Sequence, residues 1–141
     1  MSSAKTSPRA VASVVPVIQQ SVMDCAVACV AMLTGHPYSN VFSGSATTAK
    51  IVRKSGAIEV DLRRLARGVG AKLKKVKPPN IDLDDDTGIL WLGSTNPKIP
   101  GHAALLFRGV LIDPGTGLLW DPQVFLAENP HYVIEALFEL V

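Results

Sequence analysis

An α+β fold is the prediction for this chain, with an N-terminal helical half carrying a cysteine and a C-terminal antiparallel sheet carrying a histidine and an aspartate. Three observations carry the fold class. Up to residue 69 the apolar residues follow helical spacing, beyond residue 70 they fall in short strand-like runs, and turn formers separate those runs. Helices first and strands second is the α+β order. The 141 residues suit one ordinary domain. Hydrophobic residues make up 48% and aromatics only 6%, so Val, Leu, Ile and Ala must build the core.

Residues 1–15 read as a flexible tail and residues 16–141 as the domain. Residues 1–23 lack acids and carry Lys5, Arg9 and the apolar run Val11–Ile18, but Pro16 breaks that run and no small-residue cleavage site follows. This argues for a leader joined near Pro16 rather than a targeting peptide. Asp24 to Leu33 is the first helix, with Asp24 as its N-cap and Gly35-His36-Pro37 as its stop. Ser43 to Thr48 is small and polar and reads as a linker, Thr48–Ser55 as a short helix closed by Gly56. Val60–Val69 is the third helix, with Leu62, Leu65, Ala66 and Val69 on one stripe and Asp61 able to cap it.

Ala71–Val76 alternates as a strand, and Pro78 to Asp86 is a loop. Gly88–Leu92, His102–Phe107, Val110–Ile112 and Leu118–Trp120 read as strands, with a tight turn at Arg108-Gly109. Pro122–Ala127 is one or two helical turns, and Tyr132–Val141 a closing strand, with helix as its alternative.

Composition narrows the function classes. A net charge of +2 gives no footing for nucleic acid. The basic run Lys72, Lys74, Lys75 and Lys77, followed by Asp82, Asp84, Asp85 and Asp86, reads as the solvated face of an edge strand. No segment reaches the roughly 20 apolar residues needed to span a membrane. Cys25 and Cys29 stand four apart on one helix, where their side chains run parallel, so the expectation is two reduced thiols in a cytosolic setting.

The chemistry concentrates around Cys25. A cysteine that opens a helix lies at the positive end of the macrodipole, a position that suits a thiolate nucleophile. Gln19, six residues upstream, is within reach to donate a hydrogen bond to an oxyanion beside that sulfur. Such a nucleophile needs a base that also protonates the leaving group, and histidine serves both ends. His36 lies about eleven positions along the same helical run, roughly 16 Å away, too far to share a proton. His131 sits in a polar loop and reads as a surface residue. His102 opens a strand behind Pro100-Gly101 and can project into a cleft; the alternative is a histidine that merely ends a strand. Hairpin counting places Asp113 beside His102 at one sheet edge, as the group that would orient the imidazole. Asp113-Pro114-Gly115 also has turn chemistry, and the two roles are compatible. Asp121 is the reserve for that role. A zinc site on Cys25, Cys29 and a histidine lacks a second closely spaced pair, and Gly115-Thr116-Gly117 lacks the context of a phosphate loop.

The order Gln19, Cys25, His102, Asp113 resembles that of papain-like cysteine peptidases. Within them the chain looks most like the bacteriocin-processing peptidases that cut after a double-glycine leader. The similarity rests on Gln19…Asp24-Cys25-x-x-Ala28-Cys29-x-x-Met32, on Lys54-Ser55-Gly56…Asp61-Leu62-Arg63-Arg64-Leu65-Ala66…Gly70, and on a His-plus-apolar strand followed by Asp-Pro. It runs from about Val17 onward. The resemblance implies Cys25 as nucleophile, Gln19 as oxyanion donor, His102 as general acid/base, Asp113 as orienting acid and Cys29 as a buried helix residue. It implies no cofactor, a peptide or protein substrate, and a bacterial or phage-encoded cytoplasmic protein, with a secreted effector as the other location. Ala26 stands where the family usually has glycine, and the interval from His102 to Asp113 is short for it. No transporter segment follows, so the expectation is a domain that stands alone or serves a separate ABC transporter or secretion component. A retired peptidase-like domain that grips a peptide or partner protein is the alternative reading.

Overall fold

The computed structural model describes residues 14–21 and 23–141. The tail expected over residues 1–15 falls outside the described residues as far as residue 13; of its last two residues Val15 is 80% exposed and Val14 is buried. That side chain is only 9% exposed and joins the main core, because an apolar residue beside an apolar cluster gains more from burial than from solvent.

Among the described residues four helices come first: α1 (Cys25–Thr34), α2 (Tyr38–Gly44), α3 (Ala46–Ser55) and α4 (Glu59–Gly68). Helix α1 is apolar all round and buried from Ala26 to Met32, which makes it the central helix. It ends where Gly35 takes a left-handed φ of 73° and its N–H bonds Ala31 O at 3.0 Å. The strands are β1 (Leu73–Val76), β2 (Thr87–Ser94), β3 (His102–Phe107), β4 (Val110–Ile112), β5 (Leu119–Trp120) and β6 (Tyr132–Leu140), with a short helix α5 (Pro122–Glu128) between the last two. They form one antiparallel sheet in the order β1-β6-β2-β3-β4-β5. The helix alternative for residues 132–141 is thereby removed, and the lysine-rich β1 lies at a sheet edge.

The helices cover one face of the sheet, where Val27, Val30, Leu62, Leu65, Leu105 and Phe138 meet. The other face carries a smaller core of Leu90, Leu106, Leu111 and Leu137, closed by Phe125 of α5 and by Ile81 and Leu83. β2 is flanked on both sides and loaded on both faces, hence the unbroken apolar run GILWL. Among the described residues no helix is long and apolar enough to cross a membrane.

The linker expected at Ser43–Thr48 is instead the end of α2 and the start of α3, with Ser45 between them. Those residues are small because two helices touch there. A Cβ on Gly44 would sit 2.6 Å from the Gly68 carbonyl oxygen at the end of α4, and Ser45 Oγ donates to Arg64 O at 3.0 Å. Gly44→Ala is therefore expected to destabilise the fold by about 1–3 kcal/mol. The measurement is the urea midpoint, which falls at constant slope; an unchanged midpoint removes the close approach. Asp61 serves α4 from its third position, accepting the Ile58 N–H at 3.0 Å.

Candidate active site

Cys25 is the first residue of α1, and it is half-buried. The first turn of a helix leaves its N–H groups without intrahelical acceptors, so the sulfur stands beside backbone donors. The segment before it is held tightly. Gln19 N donates to Pro114 O at 2.8 Å, and Gln19 Nε2 donates to Ser21 O at 2.8 Å. Asp24 stands at the N-cap position, yet its side chain makes no cap bond. The carboxylate turns back instead and accepts from Ser21 N at 2.9 Å, from Gln20 N at 3.3 Å and from the Tyr38 hydroxyl. The cap bond expected of Asp24 is thus displaced by two local backbone donors and by one hydroxyl that the fold brings from α2.

His102 comes from β3 and Asp113 from the end of β4. Arg108 and Gly109 take φ values of 45° and 86°, the left-handed pair of a tight two-residue hairpin. The register Leu105↔Ile112, carried one step further, sets Asp113 opposite Ala104 and makes His102 its diagonal neighbour on the same face. The side chains meet, with His102 Nε2 at 2.8 Å from Asp113 Oδ1. Gly115 N donates to the same oxygen at 3.0 Å, and Gly117 N donates to the Asp113 carbonyl at 2.7 Å. Turn formation and imidazole contact coexist in one residue. With Nε2 engaged, the other ring nitrogen is the one left for Cys25, which lines the same cleft and helps raise the imidazole's pKa.

The electrostatics follow from this chain of contacts. Burial pulls the His102 imidazolium down, but hydrogen bonds to Asp113 and Cys25, together with their charges, push it from 6.5 up to about 9. Burial pushes Asp113 up, and the His102 bond and charge, with Gly115 N–H and Thr116 Oγ1, outweigh it and hold the carboxyl below its ordinary value. Burial drives the Cys29 thiol well above its ordinary value, with the Cys25 and Asp113 charges adding to it. Cys29 is 0% exposed and has no access to a substrate.

These groups open onto a cleft of about 800 Å³, lined among others by Gln19, Cys25, His102, Asp113, Trp91 and Tyr132. Ser55 at the end of α3 and Gly56, Ala57 and Ile58 before α4 line it as well. The Tyr132 ring stacks on His102, with centroids 5.7 Å apart and planes at 16°, and Phe125 stacks on Tyr132 at 6.2 Å. Burial, then the charges of Asp113 and Cys25, raise the Tyr132 phenol above its ordinary value.

Of the sequence-predicted residues, Gln19, Cys25, His102 and Asp113 are brought together, and the reserves are not. Asp121 caps α5, accepting from Gln123 N at 2.8 Å and Val124 N at 3.2 Å. His36 follows the far end of α1. His131 is half-buried rather than a surface residue, because its ring packs on Tyr132 at 4.2 Å. Both cysteines are free thiols. Among the described residues no three His, Cys, Asp or Glu side chains gather as metal donors. Sequence reasoning missed Tyr132, for which strand-end position is no signal, and the buried anchoring of Asp24.

The fold has counterparts among solved proteins. The chain matches the peptidase domain of Streptococcus ComA, a bi-functional ABC transporter involved in a quorum-sensing pathway, with TM-score 0.60 and 15% identity, over 89% of this chain and 96% of that one. It also matches a double-glycine motif protease from an AMS/PCAT transporter, solved with its leader peptide, with TM-score 0.61 and 17% identity, over 91% of this chain and 92% of that one. No protein-family model and no curated protein matches it. At such identities the likeness establishes a shared fold.

Proposed function

We propose that this chain is a cysteine peptidase in which Cys25 is the nucleophile, His102 the general acid/base and Asp113 the orienting acid. The observation that carries the reading is the 2.8 Å His102–Asp113 contact at a cleft that Cys25, first residue of a helix, also lines. The Cys25 sulfur attacks a peptide carbonyl carbon, and the π pair moves onto oxygen. Gln19 Nε2–H and the Cys25 backbone N–H are the donors for that oxyanion. The oxyanion collapses, the C–N bond breaks, and His102 gives its proton to the departing amine. His102 then takes a proton from water, which cleaves the thioester and returns the sulfur. Transfer to an amine in place of water uses the same residues.

The shared fold with two peptidase domains, one solved with a leader peptide, supports a peptide with a double-glycine junction as substrate. A separate ABC transporter or secretion component, met from the cytoplasmic side, is the partner that fits such a substrate. The test is a synthetic peptide with a Gly-Gly junction followed by cargo. Mass spectrometry is expected to show cleavage after the second glycine, abolished in Cys25→Ala. A peptide that is bound yet stays whole would leave a gripping domain in place of an enzyme.

A second expectation concerns the thiols. Iodoacetamide on the native protein is expected to give one adduct, at Cys25, with Cys29 labelled only after denaturation. Two adducts in the folded protein would contradict the burial of Cys29.

A further inference from the structure

Asp24 is the only buried charged residue among the described ones, at 0% exposure, and the proposed chemistry gives it no task. A buried carboxylate is costly unless several donors surround it. Of the three donors it has collected, two lie on one short stretch of chain. Two are the consecutive backbone N–H groups of Gln20 and Ser21, at 3.3 and 2.9 Å, directly after Gln19. The third is the Tyr38 hydroxyl, which in turn accepts from Arg53 Nη2 at 3.0 Å. The Arg53 guanidinium lies over the Phe42 ring, 4.3 Å from its centroid, which fixes its direction. Arg53 also holds the stretch from its backbone side, since Ser21 Oγ donates to Arg53 O at 3.2 Å. The same carboxylate belongs to the residue that precedes the nucleophile, so a single side chain ties the backbone after Gln19 to the start of α1.

We propose that Asp24 is a positioning residue that sets Gln19 at oxyanion distance from Cys25, with Tyr38 and Arg53 holding the carboxylate in place. The inference rests on the peptidase reading. An oxyanion donor helps only within hydrogen-bond reach of the oxygen, and a displacement of about 1 Å costs about 100-fold. Cys25 and His102 stand on α1 and β3, whose placement comes from the main core. Loosening Asp24 therefore spoils the oxyanion site and leaves the sulfur–imidazole contact as it was. A purely structural carboxylate would affect both together.

The test compares two reagents on the wild type, Asp24→Asn and Tyr38→Phe. A peptide aldehyde ending in glycinal forms a hemithioacetal: the sulfur bonds the carbonyl carbon, the π pair moves to oxygen, and the proton from the Cys25–His102 pair completes it. That oxygen occupies the oxyanion position. Iodoacetamide alkylates the sulfur without forming an oxyanion. In Asp24→Asn the aldehyde is expected to bind about 100-fold more weakly, and kcat to fall by a similar factor with KM little changed, while the alkylation rate holds. Tyr38→Phe keeps the carboxylate and loses one donor, so the same split is expected at about 10-fold; it decides the matter if Asp24→Asn does not fold. Aldehyde affinity equal to wild type in the folded variants overturns the proposal, as does a parallel loss of aldehyde binding and alkylation. A wild type that takes iodoacetamide at Cys25 but no aldehyde overturns the peptidase reading itself, and the positioning role with it.

Discussion

Replacing His102 by alanine is expected to lower kcat/KM on a Gly-Gly peptide by at least about 1,000-fold. The variant loses the proton donor for the leaving amine, the base for deacylation and the positive partner of the sulfur in one step. Alkylation at Cys25 should fall as well, most of all below neutral pH, where only a sulfur beside an imidazolium reacts readily. The wild-type profile carries the same signature. His102 titrates at about 9, so kcat/KM should hold as pH rises past neutrality and fall as pH passes through 9, when the ring gives up its proton. The assay is a pH–rate profile paired with timed alkylation. An alanine variant that keeps the wild-type alkylation profile would leave Cys25 an ordinary thiol.

Asp113→Asn tests the other end of the same contact, and its main effect is expected on the profile. Asparagine retains an oxygen that accepts the His102 N–H but has no charge. Burial, which already opposes the imidazolium, then faces only the Cys25 interactions, so the His102 proton is lost at lower pH. The alkaline fall of kcat/KM is expected to move down by about 1–3 units. Near pH 9 the variant would be almost inactive, and around pH 6 it would retain a larger share of wild-type activity. A profile that only drops in height, with its alkaline limb still near 9, would show that the carboxylate charge does not hold the ring protonated.

The contact between His102 and Asp113 was readable in the sequence because it is local. A two-residue turn at Arg108-Gly109 fixes the register, and the register fixes which side chains share a face. The approach of Cys25 to His102 was not local, and order along the chain could only suggest it. Asp24 was misread for the same physical reason. An aspartate before a helix is a cap by local preference, and here the backbone N–H groups of Gln20 and Ser21 and the Tyr38 hydroxyl of α2 claim the carboxylate. Helix α2 went unread because it buries only Tyr38 and Val41, too little to mark a stripe in seven residues. The stretch Ser43–Thr48 showed small residues, but their cause, the crossing of Gly44 on Gly68, lies in another helix. Tyr132 stacks on His102 only because β6 enters the sheet between β1 and β2, which no short window of sequence reveals.

That insertion has a temporal consequence. The ribosome makes Cys25 first, then His102, then Asp113, and residues 132–140 after all of them. Until those nine positions leave the exit tunnel, β1 has no partner strand, β2 has a bare flank, and the imidazole lacks the ring that stacks on it. A nascent chain thus holds Cys25, His102 and Asp113 before the strand that completes the sheet around them. On the proposed reading, a chain that stops before residue 132 is expected to leave a Gly-Gly peptide uncut.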